Sequence, residues 1–192
     1  MVVRSLGINT DPFLSQENDE ELLGDETPYL SAIGALMYLA NNTRPDICFA
    51  VCLLARFSSS PTKRHWNDVK HILRYLRWTM DMCLFYSNES KSELIGYADS
   101  GYLSDPHKAR SQTGYLFTCG DTTISWRSIK QTLVATSSNH VEIIAIHVAS
   151  REYILLRSMT HHIQEMCDFS LKKNIPTTMY EDNAACIAQL KG

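Results

Sequence analysis

Three stretches in the second half of this 192-residue chain place carboxylates where acids can do chemistry. Asp99 follows the apolar run Leu94-Ile95-Gly96-Tyr97-Ala98. Glu142 stands near the start of a helical pattern, after Ser137-Ser138-Asn139-His140-Val141. Asp182 lies in Met179-Tyr180-Glu181-Asp182-Asn183, where a short strand gives way to another helix. An acid at one strand end, one in a helix and one at a second strand end can converge on a hard divalent cation. Adjacent strand ends and a helix laid over their sheet supply the rigid frame that such a site needs. Two Mg²⁺ ions held in this way can activate water and clamp the leaving oxygen in phosphodiester hydrolysis. The same acids have plainer uses. Acids at strand ends serve turns, Asp182 could support a helix N-terminus, and Glu142 could be a solvated first-turn acid.

The elements that must position these acids sit in a chain of ordinary globular composition. Hydrophobic residues make up 44%, too rich for disorder, and the length suits one domain or a small domain with an appendage. A net charge of −3 and a pI near 6.1 leave no overall basic footprint, so positive charge for a nucleic acid must be local. The six cysteines, at 48, 52, 83, 119, 167 and 186, lack Cys-x-x-Cys spacing and match no structural zinc site. Scattered cysteines are usually reduced and buried in an intracellular protein. With no signal peptide at Met1 and no apolar run of spanning length, the expectation is an intracellular protein, cytoplasmic or nuclear, not secreted and without a membrane partner.

Residues 1–27 read as an extended acidic lead-in, in which Glu17, Asp19, Glu20, Glu21, Asp25 and Glu26 crowd a stretch poor in apolar partners. A helical segment over 28–90 follows. Tyr29, Ile33, Leu36, Met37 and Ala40 recur at helical spacing. Pro45 suits the first turn of a second helix carrying Ile47, Val51, Leu54 and Ala55, capped near Thr43 or Arg44. Ser60 and Pro61 open a third helix running to Trp78, with Trp66, Val69, Leu73 and Leu76 as its apolar stripe. Lys63, Lys70, Arg74 and Arg77 share an adjacent face of that helix, either solvated or able to track phosphates. The polar stretch Asn88-Glu89-Ser90-Lys91-Ser92 is the candidate boundary.

Over 91–192 the pattern is α/β. Leu94–Ala98, Gly114–Cys119 and Thr122–Trp126 read as strands, the last two joined by a Gly120-Asp121 hairpin turn. Leu133–Thr136 reads as a short addition. A long helix runs from Asn139 to about Met159, burying Val141, Ile144, Ala145, Val148, Leu155 and Leu156. Thr177–Tyr180 is a fourth strand, and Asn183 caps a last helix. The first three strands form a meander. The fourth, reached by a helical crossover, joins parallel to the first in a mixed sheet.

Five blocks, in order, then carry a resemblance: Tyr97-Ala98-Asp99-Ser100; Arg110-Ser111-Gln112-Thr113-Gly114-Tyr115; Ile124-Ser125-Trp126-Arg127-Ser128-Ile129-Lys130-Gln131; Ala135-Thr136-Ser137-Ser138 leading to Glu142; and Glu181-Asp182-Asn183. Together they resemble the ribonuclease H region of copia-type LTR retrotransposon Pol polyproteins. Upstream, the stretches from Tyr29 to Leu39, from Thr43 to Ile47 and from His65 to Leu76 resemble the end of the reverse transcriptase in the same polyproteins. The resemblance implies a ribonuclease H-like mixed sheet with helices, preceded by a small helical segment. It implies hydrolysis of RNA in an RNA–DNA hybrid with Mg²⁺ (or Mn²⁺), and it assigns the catalytic and metal-binding roles to Asp99, Glu142 and Asp182. The partners it implies are the hybrid and the remainder of the polyprotein.

The match has departures. The paired-Asp turn of the polymerase is missing, and the family's fourth acid normally follows the last helix, beyond Gly192. Gly101-Tyr102 stands where the family often has Asp-Trp, and His140 where it often has a second Glu. A catalytically inactive retroelement remnant that at most binds nucleic acid is therefore the alternative. A host protein reusing the fold for protein interaction is a third reading.

Arg110, Ser111, Gln112, Asn139 and Asn183 could contact phosphates or the 2′-hydroxyls that mark RNA, or equally serve turns and caps. His140-Val141-Glu142 matches half of a zinc-deaminase signature, whose Pro-Cys-x-x-Cys half is missing here.

Overall fold

The acidic lead-in gives way to helix where Pro28, fixed at a helical φ, enters the first turn of α1 (Thr27–Asn42). The computed structural model describes residues 21–86, 93–105, 110–120, 122–166 and 178–191, with the side chains of Leu103, Asp105 and Gln164 left aside. Glu17, Asp19 and Glu20, the polar stretch 88–92, Asp121, Cys167 and Thr177 lie outside the described residues. The chain divides into two compact units, the second beginning at Leu84, except that Asp105 at the end of β1 groups with the first.

In the first unit α1 buries Tyr29, Ile33, Leu36 and Ala40, one helical face, while Met37 stays partly exposed. The Tyr29 hydroxyl donates to the Leu54 carbonyl at 2.7 Å, which satisfies the polar end of a fully buried ring. The second helix is broken into a 3₁₀ turn (Pro45–Ile47), α2 (Cys48–Leu54) and a second 3₁₀ turn (Ala55–Phe57). Arg44 stands at its N-cap, its carbonyl accepting the Ile47 N–H at 3.3 Å, but its side chain makes no capping hydrogen bond. Its guanidinium instead forms a bidentate pair with Asp46, at 2.9 and 2.7 Å, and donates to the Thr79 carbonyl and hydroxyl at 3.1 and 2.7 Å. The hydrogen bonds from Arg44 hold the Asp46 carboxyl below the usual carboxylate range.

The third helix, α3 (Lys63–Trp78), starts two residues later than Ser60-Pro61 suggested. Thr62 is the N-cap and forms a capping box with His65, whose ring stacks on Phe57 at 4.0 Å. Its buried stripe is His65, Val69 and Ile72, and Leu73 is 44% exposed, so the apolar face is rotated from the one the sequence suggested. The end of the lead-in is not free in solvent: Leu23 N–H donates to Pro61 O at 2.9 Å and Lys63 N–H to Glu21 O at 3.1 Å.

The second unit is a four-stranded mixed sheet in the order β3-β2-β1-β4. β1 (Leu94–Asp105), β2 (Arg110–Cys119) and β3 (Thr122–Lys130) are each longer than their apolar cores, because ladder hydrogen bonds continue through the polar residues that flank them. β2 and β3 are antiparallel, Cys119 facing Thr122, and Gly120 turns the chain with φ 58°, a left-handed conformation that glycine adopts without a Cβ penalty. Leu133–Thr136 is not a strand.

Helix α4 (Ser138–Met166) is capped by Ser137, whose hydroxyl accepts the His140 N–H at 3.2 Å. It packs Val141, Ala145 and Ala149 inward, and Leu155 is 53% exposed. Ala98, Tyr115, Phe117 and Ala149 form the core, with Ile124, Ile146, Leu156 and Met179 packed against it. β4 (Thr178–Tyr180) pairs parallel with β1, and α5 (Ala184–Lys191) follows under an Asn183 cap, the side-chain Oδ1 of Asn183 accepting from Ala185 and Cys186 N–H at 3.0 Å each.

Gly96 is held to its residue type by packing. A Cβ built there would stand 2.5 Å from Cε1 of the fully buried Phe117. Gly96→Ala should lower unfolding free energy by about 1–3 kcal/mol, as overpacking does. Urea denaturation checks this. Phe117→Leu added to Gly96→Ala should recover part of the loss, and an unchanged midpoint in Gly96→Ala alone would refute the account.

Candidate functional site

The parallel register of β1 and β4 runs Ile95 with Thr178, Gly96 with Met179 and Tyr97 with Tyr180. Continued by two residues, it sets Asp99 beside Asp182. Tyr97 and Tyr180, whose rings stack at 5.4 Å, reinforce the pair of strands just before the acids. Even-numbered residues of β1 (Gly96, Ala98 and Ser100) are buried, and Asp99, of the opposite parity, is exposed. Asp182 is exposed as well, in the short segment between β4 and α5.

Glu142 comes from the second turn of α4, next to Val141, on the side of the helix that faces the sheet. It is 7% exposed, and its Oε2 is buried without a hydrogen-bond partner among the described residues. One carboxylate oxygen each from Asp99, Glu142 and Asp182 lies within 4.8 Å of the other two. That spacing is about twice the ~2.1 Å metal–oxygen distance of Mg²⁺, and carboxylate oxygens are the ligands that hard divalent cations take.

Electrostatics follow from burial. Desolvation pushes the Glu142 carboxyl above the usual range, opposed by the neighbouring Ser100 hydroxyl and reinforced by the charges of Asp99 and Asp182. Glu181, beside Asp182, is pushed up to about 7, first by burial and then by the charge of Glu142. One of its oxygens accepts the Asn183 N–H at 3.3 Å, and the other is buried without a partner among the described residues. Glu181 is a site neighbour that spacing did not single out. Its signal in the sequence is the second acid of the Glu181-Asp182-Asn183 block.

The residues expected to touch nucleic acid fare differently. Arg110, Ser111 and Gln112 belong to β2, not to a loop before it. Arg110 is half-buried at the strand's start. Ser111 and Gln112 are buried, and the Gln112 amide donates to the Ser128 hydroxyl at 2.8 Å, so both serve the sheet interior and cannot face a ligand at the surface. Asn139 donates to Gln189 at 2.8 Å and links α4 to α5. Asn183 is spent on the α5 cap.

In the first unit, Lys63, Lys70, Arg74 and Arg77 lie on the side of α3 away from Val69 and Ile72. Lys63 pairs with Glu21, Lys70 lies over the Trp66 ring at 5.5 Å, and Arg74 is 3.4 Å from His71. Among the described residues, no helix is long and apolar enough to cross a membrane.

No protein-family model matches the chain, and no solved structure matches it. Curated relatives do. Secreted RxLR effector protein 161 of Plasmopara viticola is 42% identical over 133 residues, 69% of this chain and 94% of the effector. The retrovirus-related Pol polyprotein from transposon TNT 1-94 of Nicotiana tabacum is 45% identical over 132 residues, and that from transposon RE2 of Arabidopsis thaliana is 33% identical over 174 residues, 91% of this chain. The chain spans only 10% and 11% of the length of those two polyproteins. By this similarity the chain belongs to one family with that effector and with the corresponding segment of the copia-type, retrovirus-related Pol polyproteins of plant transposons.

Proposed function

We propose that this chain is the ribonuclease H region of such a Pol protein and hydrolyses the RNA strand of an RNA–DNA hybrid, with Mg²⁺ or Mn²⁺ held by Asp99, Glu142 and Asp182. One observation carries the reading: three carboxylate oxygens from β1, α4 and the β4–α5 connection lie within 4.8 Å of one another, and the Glu142 that supplies one of them has a buried Oε2 with no hydrogen-bond partner among the described residues. A buried carboxylate oxygen without a hydrogen-bond partner is costly, and a cation is a group that would offset that cost. When bound, the cation supplies Lewis acidity for activating water and for the charge on the leaving oxygen.

The chain's own residues divide the remaining work. Glu142, fixed in a helix packed on the sheet, gives the cluster a rigid member. Asp99 and Asp182, both exposed, present their carboxylates where a phosphodiester can approach. Arg110 and the basic face of α3 are the groups suited to backbone phosphates.

Cleavage of a labelled hybrid tests the reading. The parent should cut the RNA strand with Mg²⁺ or Mn²⁺. Loss of groups that merely orient metal ligands costs roughly 10–100-fold, so Glu142→Gln, which removes a ligand, should lower activity by about 100-fold or more. Folded parent protein that leaves the hybrid intact in both metals would sink the nuclease reading in favour of a catalytically silent relative.

The raised carboxyls set a pH dependence. Glu142 and Glu181 bind protons more tightly folded than unfolded, so their burial costs nothing below the ordinary value of 4.5. The cost grows as pH rises and, for Glu181, is fully present above about 7. In chelator, the melting temperature should therefore fall between pH 5 and pH 8, and Glu142→Gln should flatten the fall and melt higher than the parent at pH 8. Thermal melts across that range, read by circular dichroism, check it. A parent that melts higher at pH 8 than at pH 5 would contradict the assignment.

A further inference from the structure

Gln131 ends the block that starts at Ile124, and none of the chemistry above uses it. It follows β3 and is 4% exposed. Its backbone N–H donates to the Ser111 carbonyl at 2.9 Å, extending the β2–β3 ladder. Its side-chain Nε2 donates to the hydroxyl of the fully buried Thr113 at 2.9 Å and to the Val141 carbonyl at 3.1 Å. The Val141 carbonyl and the Glu142 nitrogen belong to one peptide unit. A single amide thus joins strand β2 to the peptide from which the Glu142 side chain departs.

Apolar packing of Val141 and Ala145 on the sheet sets how far α4 stands from it, but dispersion and hydrophobic burial have no direction. A hydrogen bond does, and it resists sliding or rotation of the helix at that point. Stability alone does not account for the residue. Gln131 Oε1 is buried without a hydrogen-bond partner among the described residues, a desolvation cost that an apolar side chain of similar volume would avoid.

We propose that Gln131 is a positioning residue: by clamping the Val141–Glu142 peptide to Thr113 of β2, it sets where the buried Glu142 carboxylate stands relative to Asp99 and Asp182. This rests on the cation-site reading above.

The test uses the full chain and three variants, Gln131→Met, Thr113→Val and Thr113→Ser. Mn²⁺ affinity is read from the electron paramagnetic resonance signal of free Mn²⁺, folding from circular dichroism, and kcat and KM from hybrid cleavage. Gln131→Met should bind Mn²⁺ roughly 10-fold more weakly and lose about 10-fold or more in kcat with KM for the hybrid unchanged, as misplaced ligands do. Thr113→Val should shift both in the same direction by less, and Thr113→Ser, which keeps the hydroxyl, should match the parent. A folded Gln131→Met with parental Mn²⁺ affinity overturns the proposal; if that variant does not fold, parental affinity in Thr113→Val overturns it. Parent protein that binds Mn²⁺ but leaves the hybrid intact would refute the nuclease reading while the affinity series still decides the role of Gln131. Parent protein that binds no Mn²⁺ refutes both.

Discussion

Asp99 and Asp182 stand far apart in the chain, and the hydrogen-bonded register of β1 against β4 is what allows them to meet. A parallel ladder fixes residues side by side in steps of one, and a slip of one residue would turn the partner side chain to the other face of the sheet. β4 is only three residues long, so few ladder bonds hold that register. Its support comes from Met179 packed against the core, from the stacked Tyr97 and Tyr180 rings, and from α5, capped by Asn183 directly after Asp182.

The third acid obeys a different constraint. Glu142 is carried by a helix whose neighbouring positions Val141 and Ala145 are fully buried, so its carboxylate is drawn out of water by the same packing that holds the helix. That burial raises its proton affinity and leaves one oxygen without a hydrogen-bond partner among the described residues. The second unit also buries paired polar groups: Gln112 with Ser128, and Gln131 with Thr113 and with the Val141 carbonyl next to Glu142. Networks of this kind add direction to a core that hydrophobic burial alone leaves free to slide.

The family relationship reaches both units. The RE2 polyprotein aligns with 91% of the chain and the effector with 133 residues of it, and each of these stretches is longer than either unit alone. In the first unit, Arg44, paired with Asp46 and tied to Thr79, and the buried Tyr29 bonded to Leu54 are structural devices: the first satisfies a guanidinium at the edge of the helical unit, the second a hydroxyl inside its core. The chemistry-bearing cluster belongs wholly to the second unit.

Much of this was legible in the sequence. Local features such as Pro28 at a helix start, the Gly120 turn, the Asn183 cap and the apolar spacing of α1 depend on neighbours in the chain, and they stand where residue type and periodicity placed them. Residue type and place in the expected elements made Asp99, Glu142 and Asp182 candidates, the resemblance to Pol sequences singled them out together, and the structure brings one oxygen of each within 4.8 Å of the other two. What sequence could not decide was which polar residues face inward. Ser111, Gln112 and Asn139 are hydrophilic, and hydrophilic residues in a block near acids read as surface groups for a ligand. Only the tertiary structure shows two of them buried in β2 and the third tied to Gln189. The rotated stripe of α3 and the exposed Leu73 and Leu155 have the same cause, since which part of an apolar helix is covered depends on the element packed against it, and periodicity carries no information about that partner.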